Sequence, residues 1–313
     1  MKNIYMWAGL LLLLMGTAGC SQQEGQSQTS QEKTEGNVVE HDLGTTTVPE
    51  NPESVVTLEL GFTETVAAVG VVPVGVADDE RPERIADSTM EIIDGYTSVG
   101  ARSEPSLEII RMLNPDLIIA DSARHEAIYD ELSDIAPTIA VVNDTADYND
   151  VLEVTETIGL ALDREEETEQ LLTDHKEAVT DLKERLADAD GTVLQAQYTS
   201  SNIFGASTSS YFMPSFMKEI GLDYALEDEN ETSQDLTIEQ LLKINPDTLL
   251  LTKNEDDPSV KEQLEGDALW NKLSAVKENR VIELDHNDWS RRRSIPAVNE
   301  RVEDFSKIFA PTS

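Results

Sequence analysis

Arginine side chains are the residues of this sequence that are best suited to bind a ligand. The chain carries 62 Asp and Glu against 23 Lys and Arg, a formal net charge of −39, so arginines that stand together are informative. Arg291, Arg292 and Arg293 are consecutive and follow Trp289 closely. A guanidinium group can donate two parallel hydrogen bonds to a planar carboxylate. The cluster therefore favours an anionic ligand, although arginines paired with surface carboxylates would give the same pattern.

Three further arginines stand in loops that follow predicted strands. Arg124 follows the apolar run DLIIA, Arg102 follows TSVGA, and Arg84 lies in the loop after VVPVGVA. In α/β proteins, ligands bind at the carboxyl ends of the strands, so we expect these side chains to meet the cluster at 291–293, which follows RVIELD. Arg81 is an alternative to Arg84, and either could pair instead with neighbouring acidic residues.

The backbone of the arginine cluster decides which of its side chains act together. In an extended segment, alternate side chains share a side. An extended backbone here predicts that Arg291 and Arg293 point together and that Arg292 points away.

Other polar and aromatic residues near these segments are candidate ligand contacts. His125 and His286 could hydrogen-bond a ligand as neutral imidazoles, or they could be ordinary exposed residues. Trp289 is either a wall of a binding cleft or an anchor in the core. The remaining candidates end a predicted strand or lie in the Gly/Ser-rich segment after it: Tyr198, Ser207, Ser209 and Tyr211.

Short apolar runs alternate with helical patterns from Val38 onward. Continuous apolar runs between helices are typical of buried parallel strands, so the sequence predicts an α/β fold. The predicted strands cover residues 55–60, 71–77, 116–120, 138–142, 192–199, 248–252 and 280–285. Helices are expected near residues 211–220, 236–244 and 295–309.

One long helix divides the chain near its middle. Residues 163–190 contain no Gly or Pro, and their Leu and Val residues recur at helical spacing on one face. We therefore expect an N-terminal lobe at residues 38–162 and a C-terminal lobe at residues 191–313, joined by this helix.

An internal repeat supports two related lobes. Residues 106–120 and 237–251 align without gaps at an offset of 131, and both contain Asn-Pro-Asp before an apolar run. The residue before proline avoids the helical conformation, so each copy is predicted to be a helix, a sharp turn and a buried strand. Glu108 and Glu239 then occupy the second or third position of their helices. The alternative is a chance agreement between two helix–turn–strand units.

The N-terminal segment resembles a bacterial lipoprotein signal. Lys2 precedes an apolar run of about ten residues, too short to span a bilayer, and small residues lead to Cys20, the only cysteine. The departure from the signal pattern is Thr17, where Leu is usual. We expect residues 1–19 to be removed and Cys20 to carry lipid, with an ordinary secretory signal as the alternative. Residues 20–37 are expected to form a flexible tether.

Composition and motifs exclude several classes of protein. A net charge of −39 opposes binding to nucleic-acid phosphates and anionic lipid. It indicates a halophilic or haloalkaliphilic source, the alternative being simply an acidic protein. One cysteine cannot form an intramolecular disulfide, and structural zinc and iron–sulfur sites draw on several thiolates. The sequence contains no dinucleotide, P-loop or nucleophile-elbow motif, so an enzyme is not expected.

The chain resembles the substrate-binding lipoproteins of iron-siderophore ABC importers, a group that also contains cobalamin and heme carriers. The resemblance covers residues 38–310 approximately, and it rests on residues 41–60, 120–139 and 285–297 together with the two repeats. It implies the class III substrate-binding architecture, in which two α/β lobes are bridged by a single rigid helix and the ligand binds in a shallow cleft between them.

Within that group, the segment 120–139 and the run Trp-Ser-Arg-Arg-Arg look most like carriers of ferric citrate and citrate-based siderophores. The resemblance thus implies an anionic ferric ligand held by arginines. It matches Arg84, Arg102 and Arg124 to arginines that citrate-type members use, and it agrees with arginines around the Trp289 position.

The resemblance also implies partners. It implies an ABC permease with its ATPase, on which Glu108 and Glu239 dock, although a Glu in the first turn of a helix also simply favours the helix dipole. It implies a monomer held by lipid at the extracytoplasmic face of the membrane. No cofactor and no directly bound metal are expected, since the iron belongs to the ligand.

Two other cargo classes are the alternatives. A carrier of bare zinc or manganese would use imidazoles and carboxylates, and a ring of arginines would repel a naked cation. The same fold could instead carry heme, cobalamin, or a catecholate or hydroxamate siderophore.

Overall fold

A computed structural model of the protein describes residues 36–200, 203–254 and 257–310. The predicted signal peptide, Cys20 and all but the last two residues of the predicted tether lie outside the described residues. In the ranges that are described, no helix combines the length and apolar character that a membrane span requires.

The described chain contains strands, α-helices and shorter helical turns. The strands are β1 Gly36–His41, β2 Gly44–Pro49, β3 Val55–Thr57, β4 Gly75–Val76, β5 Thr97–Ser98, β6 Gly100–Ala101, β7 Glu104–Pro105, β8 Leu117–Asp121, β9 Thr138–Val141, β10 Thr192–Ser200, β11 Ile203–Ser207, β12 Asp223–Tyr224, β13 Ser233–Thr237, β14 Thr248–Lys253 and β15 Val281–Asp285. The α-helices are α1 Leu60–Ala68, α2 Asp87–Met90, α3 Leu107–Leu113, α4 Tyr129–Ser133, α5 Tyr148–Ala161, α6 Glu165–Arg185, α7 Phe212–Glu219, α8 Ile238–Ile244, α9 Val260–Leu264, α10 Ser274–Lys277 and α11 Ile295–Phe309. Single helical turns cover Pro82–Arg84, Glu126–Ile128, Trp270–Lys272 and Asn287–Arg291.

The part of the chain before α6, here called the N-lobe, is built on a parallel sheet of five strands in the order β5-β4-β3-β8-β9. All five residues of β8 are buried. Leu117 and Ile119 pack into one core cluster, whereas Ile118 and Ala120 pack into another on the opposite face. Burial on both faces is why this strand is a continuous apolar run.

The part after α6, here called the C-lobe, has its own sheet in the order β13-β11-β10-β14-β15, with β12 beside β10. Strands β10, β14 and β15 run parallel, and β11 runs antiparallel to both β10 and β13. The Gly/Ser-rich segment that follows β10 is therefore partly strand, because β11 pairs on both sides.

The predicted α/β class is confirmed, and the predicted strands differ from the observed ones mainly at their ends. The clearest difference is the strand expected at residues 55–60. It ends at Thr57, and α1 begins at Leu60 after an extended Glu59. Apolar residues continue to Leu60 because the first turn of α1 is as buried as the strand.

The long helix is shorter than residues 163–190. It begins after Arg164, since Asp163 adopts a left-handed backbone with φ 53°, and it ends at Arg185. Val179 and Leu182 lie in the C-lobe core, and Leu171 packs against the cores of both lobes. One helix thus contacts both cores.

The two repeats fold alike. Ser106 and Thr237 cap α3 and α8, each accepting a hydrogen bond from the backbone N–H three residues on. Asn114 and Asn245 end these helices in the left-handed region, with φ of 47° and 50°. The predicted helix, turn and buried strand are present in both copies.

The predicted tether ends earlier than residue 37. Gly36 and Asn37 belong to β1, where they pair with Pro49 and Val48 of β2. The Asn37 side chain also donates a hydrogen bond to the Leu160 carbonyl at 3.3 Å. These contacts fix a segment whose polar composition alone indicated flexibility.

Gly61 brings the two lobes close together near the arginine cluster. A Cβ atom at this position would lie 2.1 Å from the carbonyl oxygen of Arg293, which is far inside van der Waals contact. Only glycine therefore allows the C-lobe backbone at Arg293 to approach the first turn of α1.

Candidate functional site

A cavity of about 390 Å³ lies between the lobes. Its N-lobe wall includes Arg102, Arg124 and Asp144, which follow β6, β8 and β9, and its C-lobe wall includes Arg291 and Arg293. The other residues that line it are Thr145, Gln197, Gly205, Ser207, Tyr211, Thr232, Ser233, Thr252, His286 and Ser290. Apart from Gly205, these residues contribute polar or charged side chains, so the cavity suits a charged, polar ligand.

A buried carboxylate, Glu59, holds two of the arginines. Its side chain is 0% exposed. Its Oε2 lies 3.1 Å from Nη1 of Arg102, and its Oε1 lies 2.6 Å from Nε of Arg124. A buried charge is tolerated only when it is paired. A single Glu in a mostly apolar predicted strand is therefore a sequence signal for an ion pair in the folded protein. The sequence pattern predicts Glu59 as part of a strand and does not indicate its arginine partners.

A second carboxylate, Asp79, positions Arg102 and Arg84. It accepts hydrogen bonds from the Arg102 backbone N–H at 2.9 Å and from Arg102 Nε at 3.0 Å, and it pairs with Arg84. Burial opposes the ionisation of Asp79, but the hydrogen bonds and charge of Arg102 outweigh burial and hold the pKa of its carboxyl below the ordinary value.

A third carboxylate, Asp144, contacts arginines from both lobes. Its Oδ1 pairs with Nη2 of Arg124 and lies 3.1 Å from Nη2 of Arg293. Arg293 is held further by Nε–H donation to the Asn143 carbonyl at 2.6 Å and by Nη1–H donation to the Tyr211 hydroxyl at 2.7 Å. The position of Arg293 is therefore set by both lobes.

Arg291 differs from the other cavity arginines because it forms no ion pair with any described carboxylate. Its Nη2 donates to Oδ1 of Asn254 at 3.1 Å. Burial, followed by repulsion from Arg84 and Arg102, lowers the pKa of Arg291 below the ordinary arginine value. An anion in the cavity would relieve this repulsion.

His286 lines the same cavity and is held in its neutral form. Burial, reinforced by the charges of Arg291 and Arg293, lowers the pKa of His286 from 6.5 to about 4. Its Nδ1 lies 3.0 Å from the Thr252 hydroxyl. A neutral imidazole beside arginines can donate or accept a hydrogen bond without adding charge.

Charge is not balanced in this site. Four arginines contact the three carboxylates just described, and Arg291 is a fifth arginine. Over these groups two positive charges remain, in a chain whose net charge is −39. The structure thus concentrates positive charge at the cavity, and this arrangement can bind an anion.

Several residues proposed from sequence lie together at this cavity: Arg102, Arg124, Ser207, Tyr211, His286, Arg291 and Arg293. Arg84 and Arg81 do not line it. They line a neighbouring cavity of about 480 Å³, and Arg291 lines both cavities. Arg84 therefore acts on the ligand cavity through Asp79 and through its charge.

His125 does not line this cavity. It is 1% exposed. Its Nδ1 accepts a hydrogen bond from the Asp121 backbone N–H at 2.9 Å, and its Nε2 lies 2.7 Å from the Arg102 carbonyl. Both ring nitrogens are thus used inside the N-lobe, and His125 supports the backbone of Arg102 instead.

Tyr198 and Trp289 also pack away from the cavity. The Tyr198 ring lies 5.3 Å from the Phe204 ring, on the face of β10 opposite to Gln197, which lines the cavity. Trp289 is 4% exposed and its ring lies 4.9 Å from that of Phe305, so it is a core anchor.

Ser209 does not line the cavity either. It is buried, and its hydroxyl donates to the Asp228 carbonyl at 3.2 Å. The sequence indicated the right segment, but it could not fix which side chains of the segment face the cleft.

The backbone of the arginine cluster is not extended as expected. Asn287–Arg291 forms one π-helical turn, and the chain becomes extended at Arg292. Arg291 and Arg293 nevertheless line the same cavity while Arg292 does not. Arg292 instead lines the neighbouring cavity, where it forms ion pairs.

The ion pairs of Arg292 form a network that the sequence patterns do not predict. Arg292 pairs with Glu64 of α1, with Asp288 at 2.9 Å and with Glu300 at 2.6 Å. Glu64 also accepts a hydrogen bond from the Ser294 hydroxyl. Burial raises the pKa of Glu64, although the charge of Arg292 opposes the rise. The network fixes the segment that carries Arg291 and Arg293 onto the N-lobe.

A family model described as periplasmic binding protein matches residues 55–287. The chain belongs to this family. This periplasmic binding protein is 39% identical over 320 residues to the putative ABC transporter substrate-binding lipoprotein YhfQ of Bacillus subtilis strain 168, with 98% of each chain covered. It is 36% identical over 307 residues to the Fe(3+)-citrate-binding protein YfmC of the same organism, covering 98% of this chain and 96% of YfmC.

The fold of this periplasmic binding protein is shared with solved structures. The crystal structure of the petrobactin-binding protein YclQ from Bacillus subtilis superposes with a TM-score of 0.73 at 26% identity, covering 87% of this chain and 97% of that one. The comparison confirms the class III substrate-binding architecture.

Proposed function

We propose that this protein is the extracytoplasmic solute-binding lipoprotein of an ABC importer, and that it captures ferric citrate or a citrate-based siderophore. The observation that carries the proposal is the convergence of Arg102, Arg124, Arg291 and Arg293 on one polar cavity. Citrate complexes of iron present several carboxylates at their surface. Guanidinium groups are the donors that suit planar carboxylates best.

The charge of the site supports an anionic cargo. The five arginines in and beside the cavity outnumber the three carboxylates that they contact by two. The pKa of Arg291 is lowered by burial and by neighbouring arginines. The comparison supports the cargo class, because YfmC, at 36% identity over nearly the full chain, is an Fe(3+)-citrate-binding protein. A bare metal ion would instead be repelled by these arginines.

We infer that the protein binds and releases its ligand without chemical turnover and without a cofactor of its own. Members of its family are solute-binding proteins. The iron arrives and leaves with the ligand. The groups that converge on the cavity are guanidinium groups, hydroxyl groups and a neutral imidazole, which suit hydrogen bonding to an anion.

The proposal includes attachment to the membrane. YhfQ, at 39% identity, is a substrate-binding lipoprotein of an ABC transporter, and Cys20 follows a lipoprotein-type signal. We infer that lipid on Cys20 holds a monomeric protein at the extracytoplasmic face, close to the permease and its ATPase.

The test of the cargo is a titration of tryptophan fluorescence with a panel of ligands at high salt. Trp289 adjoins Ser290, which lines the cavity, and a ferric complex quenches a nearby indole. We expect saturable quenching by ferric citrate and citrate–hydroxamate siderophores, and its loss in an Arg124→Gln/Arg293→Gln variant. Binding of heme, ferrichrome or a ferric catecholate without binding of citrate-based ligands would assign the cargo to that other class. No binding by any ligand of the panel would overturn the proposed function.

Glu108 and Glu239 are proposed to dock on the permease. Both are exposed at the second position of α3 and α8, in equivalent places of the two repeats. We expect Glu108→Arg/Glu239→Arg to abolish uptake of radioactive ferric citrate by cells while the affinity of the purified protein is unchanged. The reason is that the two glutamates lie outside the ligand cavity.

A matched control for this double reversal is Glu166→Arg/Glu177→Arg on the exposed face of α6. It changes the net charge equally and should leave uptake intact. Lower ligand affinity in the Glu108/Glu239 variant, or normal uptake by it, would contradict the docking role.

A further inference from the structure

Asp144 occupies the position between the lobes that a ligand carboxylate would need. Its Oδ1 pairs with Nη2 of Arg124 from the N-lobe and lies 3.1 Å from Nη2 of Arg293 from the C-lobe. A carboxylate held between two guanidinium groups is the arrangement expected for the ligand itself. Here the protein supplies that carboxylate from its own chain.

The remaining donors of the two arginines show why this position matters. Arg124 Nε–H already donates to Glu59. Arg293 donates from Nε to the Asn143 carbonyl and from Nη1 to Tyr211 and the Ser290 carbonyl. Asp144 contacts the Nη2 group of each arginine, so a ligand carboxylate that binds these two groups competes with the Asp144 side chain for them.

Asp144 differs from the other two cavity carboxylates in exposure. Its side chain is 40% exposed, compared with 0% for Glu59 and 17% for Asp79. Its backbone N–H donates to Oδ2 of Asp121 at 2.8 Å, so the backbone is held independently of the side chain. The Asp144 carboxylate can therefore turn toward water without itself becoming a buried, unpaired charge, whereas Glu59 cannot. Arg293 is 4% exposed and has no other described carboxylate partner, so a ligand carboxylate would have to take the place of Asp144 as its counter-charge.

We propose that Asp144 is an affinity-limiting residue: its side chain fills the carboxylate position of the empty site and is displaced by a carboxylate of the ligand. This inference rests on the proposed function. A ligand carboxylate must outcompete an internal carboxylate for Arg124 and Arg293, and this competition weakens the binding of the ligand. The same residue limits affinity, because its charge repels an anion that has entered the cavity.

The test is the dissociation constant of ferric citrate for the intact protein and for Asp144→Asn, at one fixed salt concentration. Removing one negative charge within a few ångströms of a bound anion is expected to tighten binding by about tenfold. Affinity for free acetate, which carries a single negative charge, is expected to rise by a smaller factor, because the repulsion that is removed scales with the charge of the ligand. The control is Glu177→Gln, which removes one exposed charge on α6 and should change neither affinity.

The outcomes separate this inference from the function on which it rests. Ferric citrate binding by the wild-type protein with unchanged or weaker binding by Asp144→Asn would overturn the inference alone. A second variant, Asp144→Ser, and thermal unfolding of each variant separate this result from misfolding. No binding of ferric citrate or of any other ligand of the fluorescence panel by any of these proteins would overturn the inference and the proposed function together.

A structure of the ferric citrate complex gives an independent readout. We expect the Asp144 carboxylate to lie beyond 4 Å from at least one of Arg124 and Arg293, with a ligand carboxylate in its place. An Asp144 that keeps both contacts in the complex would overturn the displacement.

Discussion

Replacing Arg291 with glutamine is expected to weaken ferric citrate binding by about 100-fold, or about 2.7 kcal/mol. Among the cavity arginines, Arg291 forms no ion pair with a described carboxylate, and its Nη2 contacts Asn254. Its charge is therefore the one most available to the ligand. Removal of a partly buried charge that pairs with a ligand typically costs 2 kcal/mol or more, about 30-fold or more in affinity. Fluorescence or calorimetric titration measures the change.

Two comparisons make this prediction specific. Arg111→Gln removes an exposed arginine on α3 outside the cavity and should leave affinity unchanged. Arg291→Lys keeps the charge but loses the planar fork, so its affinity should lie between wild type and Arg291→Gln. Arg291→Gln should not lower the melting temperature, because the charge it removes is repelled by Arg84 and Arg102. Near-normal affinity in Arg291→Gln would show that Arg291 does not contact the ligand.

Replacing Arg292 with leucine is expected to lower the free energy of unfolding by about 3–5 kcal/mol, the usual cost of breaking a buried ion pair from one side. Arg292 is 4% exposed and Glu64 is 1% exposed. Without Arg292, the carboxylate of Glu64 would lose the cation that compensates its burial. Denaturant unfolding at one fixed pH and salt concentration measures the loss.

The double variant Glu64→Leu/Arg292→Leu should regain most of that stability, because it leaves no unpaired buried charge. Arg185→Leu is the control. It removes an arginine whose partners Asp181 and Glu303 are 68% and 70% exposed, and such surface pairs contribute about 1 kcal/mol or less. A loss of under 1 kcal/mol in Arg292→Leu, or a double variant less stable than the single one, would contradict the interpretation.

The network at Arg292 also connects stability to binding. It ties the segment between Trp289 and Ser294 to α1, and Arg291 and Arg293 lie in that segment. The buried pair therefore positions the ligand arginines of the C-lobe against those of the N-lobe. Gly61, which allows the close approach of the Arg293 carbonyl, serves the same contact.

The sequence by itself predicts those parts of the fold and site that depend on the order of residues within one segment. Apolar runs predicted the central strands, because a strand covered on both faces must be apolar throughout. Asn-Pro-Asp predicted the helix ends at Asn114 and Asn245, since the residue before proline leaves the helical region. The placement of arginines after strands predicted that Arg102, Arg124, Arg291 and Arg293 would meet.

Which side chains face the cavity could not be read from the chain. A shift of one residue turns a strand side chain to the opposite face, so Gln197 lines the cavity while Tyr198 packs against Phe204. His125 was a candidate by its position, yet both its ring nitrogens are used within the lobe.

The composition of a segment also does not show which carboxylates pair with its arginines. Glu59 pairs with Arg102 and Arg124, which are 43 and 65 residues away, and Glu64 pairs with Arg292, 228 residues away. The pattern of apolar and polar residues along the chain shows which segments are buried, because burial follows from the apolar content of each element. Charge pairing depends on distances of a few ångströms between elements, and only the packed lobes fix those distances.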